Sequence, residues 1–191
     1  HGPVYSVYVT HKSPLQELRG VIADPASLTS VHLFQILASG LLKKELPLFP
    51  PSSAPAEDTL HGRLLIGNQA ISYRLRVEES GSSDHFWDLG EQWQAWTGLP
   101  FVYAVWVLRK DVKNPGSIAD ALRGIAARGT ANIHEIVACQ TEYPKSFAER
   151  YLTEHIQFTV GDLERAGLSE FSALLESHGL VAGHRSGLDA L

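Results

Sequence analysis

Apolar and polar positions along this chain change period several times, and each change marks an element. Tyr5 to Thr10 reads as a strand, and a connection at Lys12 to Pro14 leads to a short apolar stretch, Gly20-Val21-Ile22-Ala23, that reads as a second, buried strand. Asp24-Pro25-Ala26-Ser27-Leu28-Thr29-Ser30-Val31 has the character of a strand-to-helix turn. Phe34, Ile36 and Leu37 carry that helix to a stop at Gly40. Pro47 to Pro55 reads as a loop or linker. Arg63-Leu64-Leu65-Ile66 is strand-like again, and Gly67-Asn68-Gln69-Ala70 turns the chain toward another helix.

The densest pattern lies between Asp88 and Trp106, which holds three of the four tryptophans. Asp88 is placed to cap a helix, Leu89, Trp93 and Trp96 recur at helical spacing, and Gly98 followed by Pro100 ends it. Core packing accounts for this aromatic stripe as readily as a functional role does. Phe101 to Leu108 is then expected to be a strand buried on both faces. Beyond the surface triplet Arg109-Lys110-Asp111 the character turns helical. Asn114 and Pro115 open a helix with an apolar stripe of Ile118, Ala121, Leu122 and Ile125, stopped at Gly129. Another helix starts after Thr130, a third runs near Phe147 to Tyr151, and a fourth carries Leu163, Phe171, Leu174 and Leu175. The tail from Gly183 to Leu191 reads as frayed, and no internal repeat is visible.

Two turns carry candidate chemistry. Ser27, Thr29 and Ser30 cluster at a helix N-terminus, where unpaired N–H groups and the helix dipole favour an anion such as a carboxylate or phosphate. The plainer alternative is that one hydroxyl caps the helix and the others decorate its first turn. Gly67 would let the backbone approach a ligand closely, and Asn68 either caps a helix or hydrogen-bonds something in a cleft.

Composition narrows the classes. With 191 residues and 44% hydrophobic content, the chain can bury a core as one domain or two small lobes. Sixteen basic against 21 acidic residues give a formal charge of −5 with no basic run, which argues against a nucleic-acid partner. No apolar run is long enough to span a membrane, and no secretory signal is visible. The single Cys139 excludes an internal disulfide, and its place in an amphipathic stretch with Ile133, Ile136 and Val137 predicts a buried, inert thiol. The nine histidines show no metal-ligand spacing, so no metal site is expected. There is no Gly-x-Ser-x-Gly elbow and no phosphate-binding glycine loop.

Taken together, Gly2-Pro3-Val4-Tyr5-Ser6-Val7, the turn from Asp24 through Ser27, Thr29, Ser30 and Val31, Leu65-Ile66-Gly67-Asn68-Gln69-Ala70, and the tract from Asp88-Leu89-Gly90-Glu91 through Trp93 and Trp96-Thr97-Gly98-Leu99-Pro100 to Trp106 resemble the chorismate dehydratase family of the futalosine route to menaquinone. The likeness continues more loosely through Tyr151-Leu152 and Gly167-Leu168 to Phe171. The resemblance implies an α/β, periplasmic-binding-protein-like (type II) two-lobed fold with a central cleft. Residues 1–104 would supply the crossing strand and second lobe, and 105–191 the return strand and the mainly helical part of the first. It also implies a cytoplasmic lyase without cofactor that converts chorismate, a small carboxylate, to 3-[(1-carboxyvinyl)oxy]benzoate. Ser6, Ser27, Thr29, Ser30, Gly67 and Asn68 become the candidate substrate contacts. Family members carry a further N-terminal segment that contributes to the cleft, so the chain reads as a fragment whose first lobe is incomplete and whose active site lacks that segment's share. Relatives usually have aspartate where this chain has Asn68, and an amide cannot ionise. No side chain stands out as a general base, which leaves a carboxylate of the substrate itself or a group in the further segment. The futalosine-cyclising sister enzyme and a non-catalytic organic-acid-binding protein are the alternatives on the same scaffold.

Overall fold

The computed structural model describes residues 2–23, 27–53 and 59–181. The chain divides into two compact units, His1–Tyr103 with Asp162–Leu191, and Ala104–Gly161.

The first unit is built on a five-stranded sheet of β1 (Val7–His11), β2 (Gly20–Ala23), β3 (Leu48–Phe49), β4 (His61–Ile66) and β5 (His85–Asp88), in the order β3-β2-β4-β1-β5. β2 runs parallel to β3 and β4, while β1 is antiparallel to β4 and β5, so β1 alone opposes the other four. Helices α1 (Leu28–Leu37), α2 (Asn68–Ser80) and α3 (Leu89–Thr97) follow β2, β4 and β5 respectively. The second unit holds α4 (Pro115–Ala131), α5 (Ile133–Cys139) and α6 (Lys145–Arg150), and α7 (Asp162–Ser177) belongs to the first.

β1 is buried along its whole length, as a central strand covered on both faces must be. Its alternate residues divide the two faces. Val7 and Val9 join Val21, Leu64 and Trp87 in the main core, against Leu33, Phe34 and Leu37 of α1 and Leu89 and Trp93 of α3. Phe171 and Leu174 of α7 pack on the same cluster. Trp93 is fully buried and meets Trp96, Phe101 and Phe171 edge-on at 5.3 to 6.5 Å, the geometry that ring quadrupoles favour. Gly167 lets α7 reach this place, because a Cβ there would collide with the Pro100 carbonyl oxygen. On the opposite face Tyr8 is buried beneath α2, and its hydroxyl donates to the Ala70 carbonyl at 2.6 Å. Burial pushes the Tyr8 phenol well above its ordinary pKa, so it remains a donor.

In the second unit, Ile133, Val137 and Ala148 form a small core with Leu152. The Lys145 ammonium donates to the Val137 and Ala138 carbonyls at 2.7 and 2.6 Å, supplying cationic partners to the C-terminus of α5.

Several expectations need correction. Phe101 to Leu108 forms no strand: Phe101 and Tyr103 pack on the core, but Trp106 and Val107 are 82% and 74% exposed. An apolar run becomes a buried strand only where another strand accepts its backbone bonds, and among the described residues none pairs with this one. The proline-rich segment is not wholly a loop, since Leu48–Phe49 pairs with Val21 and Ile22 and Pro51–Ser53 makes a turn of 3-10 helix. Gly40 is not the stop of α1. A π turn over Ala38–Leu42 carries the helix past it to Lys43 in the left-handed conformation, and Gly40 instead makes room for the Trp96 ring. The stripe on α4 is real in sequence, yet no residue of that helix is buried. Cys139 is exposed, not buried, because it is the last residue of the seven-residue α5 and that helix turns Ile133 and Val137 inward. The Asp24 to Ala26 part of the turn and the tail from Gly183 lie outside the described residues.

Candidate functional site

Strand direction decides where the site can be. Because β2, β4 and β5 run parallel, their carboxyl ends and the N-termini of α1, α2 and α3 share one end of the sheet, and the antiparallel β1 begins there. That end gathers Ser6, the Ser27 to Ser30 turn, Gly67-Asn68 and Asp88, residues up to 82 positions apart in sequence. Ligands of open α/β sheets bind outside the carboxyl ends of the strands, where helix N-termini present N–H groups.

Asp88 holds this end together. Its carboxylate is 2% exposed and accepts three backbone N–H bonds, from Val4 at 3.0 Å, Tyr5 at 2.8 Å and Glu91 at 3.1 Å. The last is the predicted helix cap. The first two tie the chain leading into β1 to the start of α3, and Gly90 leaves room for Val4 beside the carboxylate. Tyr5 is held at φ +64°, a left-handed conformation uncommon for a bulky residue, which persists only where its surroundings impose it. The Arg74 guanidinium lies 3.9 Å from the centre of the Tyr5 ring and 5.0 Å from that of Phe86, adding a cation–π clamp from α2.

Next along the edge, the Gly67 N–H donates to the Ser6 carbonyl at 2.7 Å, joining two of the predicted contacts. Gly67 has φ +63° and ψ −141°, a conformation that suits glycine. A Cβ built there meets nothing within 4 Å, so its surface is open. Ser6 is buried, while Asn68 is exposed at the first residue of α2.

At α1, the Ser27 hydroxyl donates to the Ser30 hydroxyl at 3.0 Å, and Ser27 makes no side-chain bond to the helix N–H groups. The two hydroxyls therefore form a pair that leaves the capping role unfilled by Ser27. Ser30 is 2% exposed and Thr29 half-buried.

A separate depression of about 450 Å³ lies on the flank of α2, between Arg63 and Leu65 of β4 and Asn68, Gln69, Ser72, Tyr73 and Arg76 of the helix. Only Asn68 among the predicted contacts lines it. Sequence reasoning missed this cluster, the second role of Asp88, and the strain at Tyr5; the spacing of Gln69, Ser72, Tyr73 and Arg76 was the one legible signal. Among the described residues no group of three or more His, Cys, Asp or Glu side chains is placed to hold a metal, and no helix is long and apolar enough to cross a membrane.

A chorismate dehydratase from Thermus thermophilus is 29% identical over 91% of this chain and 69% of its own length. The crystal structure of a protein from Archaeoglobus fulgidus superposes with a TM-score of 0.65, covering 94% of this chain and 70% of that one, at 17% identity, which speaks to the fold alone. The family profile described as menaquinone biosynthesis matches residues 1–177, and the chain belongs to that family.

Proposed function

We propose that this protein is a hydro-lyase that converts chorismate to 3-[(1-carboxyvinyl)oxy]benzoate, with the substrate held outside the carboxyl ends of β2, β4 and β5. The observation that carries this reading is the convergence of Ser6, Ser27, Thr29, Ser30, Gly67 and Asn68 at one end of the sheet, beside three helix N-termini. Family membership and the dehydratase relative support it. A dianionic substrate must be bound by a chain of formal charge −5, so local dipoles and hydroxyls have to supply the attraction.

In the reaction a ring hydroxyl and a ring proton leave as water and the ring becomes aromatic. The protein's task is to orient the ring and anchor its carboxylates. The hydroxyls of Ser27, Thr29 and Ser30 and the open backbone at Gly67 serve that anchoring. Asn68 can donate and accept hydrogen bonds but carries no charge, so it orients and does not act as base. A carboxylate of the substrate takes the ring proton and passes it to the departing hydroxide, which leaves as water. The two-lobed cleft, with residues 1–104 and 105–191 divided between its lobes, is part of the same proposal.

The test is ultraviolet detection of the benzoate product when the purified protein is incubated with chorismate. Turnover is expected from the purified protein or from a version extended with the family's N-terminal segment, assayed side by side, and an analogue esterified at the carboxylate that acts as base should bind to either without reacting. Saturable binding of chorismate with no turnover would replace the dehydratase reading with that of an organic-acid-binding protein.

A further inference from the structure

We propose that the flank of α2 above β4 is a second binding site, for a small oxyanion whose phosphate or carboxylate groups pair with Arg63 and Arg76. It does not depend on the reaction assigned above.

Residues Gln69, Ser72, Tyr73 and Arg76 lie at i, i+3, i+4 and i+7, the spacing of one helical stripe. A stripe that borders a sheet is normally apolar, and on α2 packing is done by Ala70, Ile71 and Val77. The polar stripe faces Arg63 and Leu65 across a depression of about 450 Å³, large enough for a small organic anion. Arg63 stands in register between Thr10 and Ile22, so the rigid sheet fixes its place.

Two guanidinium groups therefore line one depression without a carboxylate among its lining residues, in a protein whose overall charge is negative. Among the described residues neither arginine forms an ion pair. The Arg76 Nε donates to the Ser72 carbonyl at 3.3 Å, which anchors the side chain along its own helix and leaves its terminal N–H groups for a ligand. The nearby Asp84 carboxylate accepts from the Tyr73 and Ser82 hydroxyls at 3.1 and 3.2 Å. Asn68, Gln69 and Ser72 add neutral donors, and Leu65 with the Tyr73 ring gives an apolar floor. Guanidinium forks match carboxylate and phosphate oxygens in pairs, and two of them select an anion over a neutral molecule.

Calorimetric titration at low, constant ionic strength, with inorganic phosphate in one arm and succinate in the other, tests this. Saturable binding at one site is expected for at least one probe, and the stronger arm names the group recognised. Arg63→Gln and Arg76→Gln should each weaken it at least tenfold, while Arg123→Gln on α4 should leave it unchanged. Both arginines are exposed, and an unchanged thermal melt will show that the variants fold. Absence of saturable binding for both probes, or equal affinity in the arginine variants and the wild type, would overturn the proposal. Dehydration of chorismate, measured in parallel, should persist in both variants, so failure of this site and failure of the reaction assignment remain distinguishable.

Discussion

Replacing Asp88 by asparagine changes one atom of the side chain and should cost the protein much of its margin of stability. In the native structure Oδ1 accepts from the Val4 and Glu91 N–H groups and Oδ2 from that of Tyr5. Bonds to a charged acceptor are worth about 1.5–3 kcal/mol each and neutral ones about 0.5–1.5 kcal/mol. An amide that keeps its oxygen toward Val4 and Glu91 turns its NH2 group toward the Tyr5 N–H, so two bonds weaken and the third becomes a clash of donors. Relief of the desolvation of a buried charge offsets part of this. The net loss is about 2–4 kcal/mol. Urea unfolding followed by the fluorescence of the buried Trp87 and Trp93 reads it directly. With a slope of about 1–3 kcal/mol per molar urea, the midpoint should fall by roughly 0.7 M or more. Glu91→Gln is the control: Glu91 is exposed in the same first turn, so losing its charge removes only a dipole interaction of about 0.3–1 kcal/mol. If Asp88→Asn unfolds within 0.5 kcal/mol of the wild type at unchanged slope, the three-bond account of this carboxylate is wrong.

Three further outcomes follow from the same structure. Gly167→Ala forces a methyl group onto the Pro100 carbonyl oxygen, a backbone atom that cannot swing aside, and should cost about 1–3 kcal/mol in a thermal or urea melt. His11 and His32 are both held below their ordinary pKa by burial, so the unfolded chain binds protons more readily than the folded one. Their contribution is therefore present above about pH 6.5 and lost as pH falls through the lowered folded values, and His11→Gln should flatten the acid limb of a stability–pH curve. Single substitutions Ser27→Ala and Thr29→Ala should raise KM for chorismate about tenfold or more while leaving the melt within 1 kcal/mol, since each removes one hydrogen bond to a charged group; unchanged KM in both would remove the hydroxyl turn from the site.

Local patterns made much of this protein legible. The Asp88 cap, the helix ending at Gly98, the strands at Val7 and Gly20 and the helix after Gly67 all follow from interactions within a few residues, which capping rules and periodicity describe. The hydroxyl turn and Gly67-Asn68 were readable as separate anion-friendly turns for the same reason. Their meeting was implied by the family resemblance and not by any local pattern, because it depends on β1 running against β2, β4 and β5, and strand order is set by pairings between residues far apart. The sequence could not show that Asp88 reaches back 84 residues to Val4, nor that Tyr5 is held at positive φ to make that contact. The fate of Phe101 to Leu108 makes the same point in reverse. Hydrophobicity states that a segment gains by leaving water, but only a covering face turns that gain into burial, and the fold supplies one to Phe101 and Tyr103 as core packing, pairs the segment with no strand among the described residues and leaves Trp106 in solvent. Residue identity thus determined the elements, their caps and the chemistry available at each turn, whereas the tertiary structure decided which turns share an end of the sheet, since that choice rests on long-range backbone pairing that no local pattern encodes.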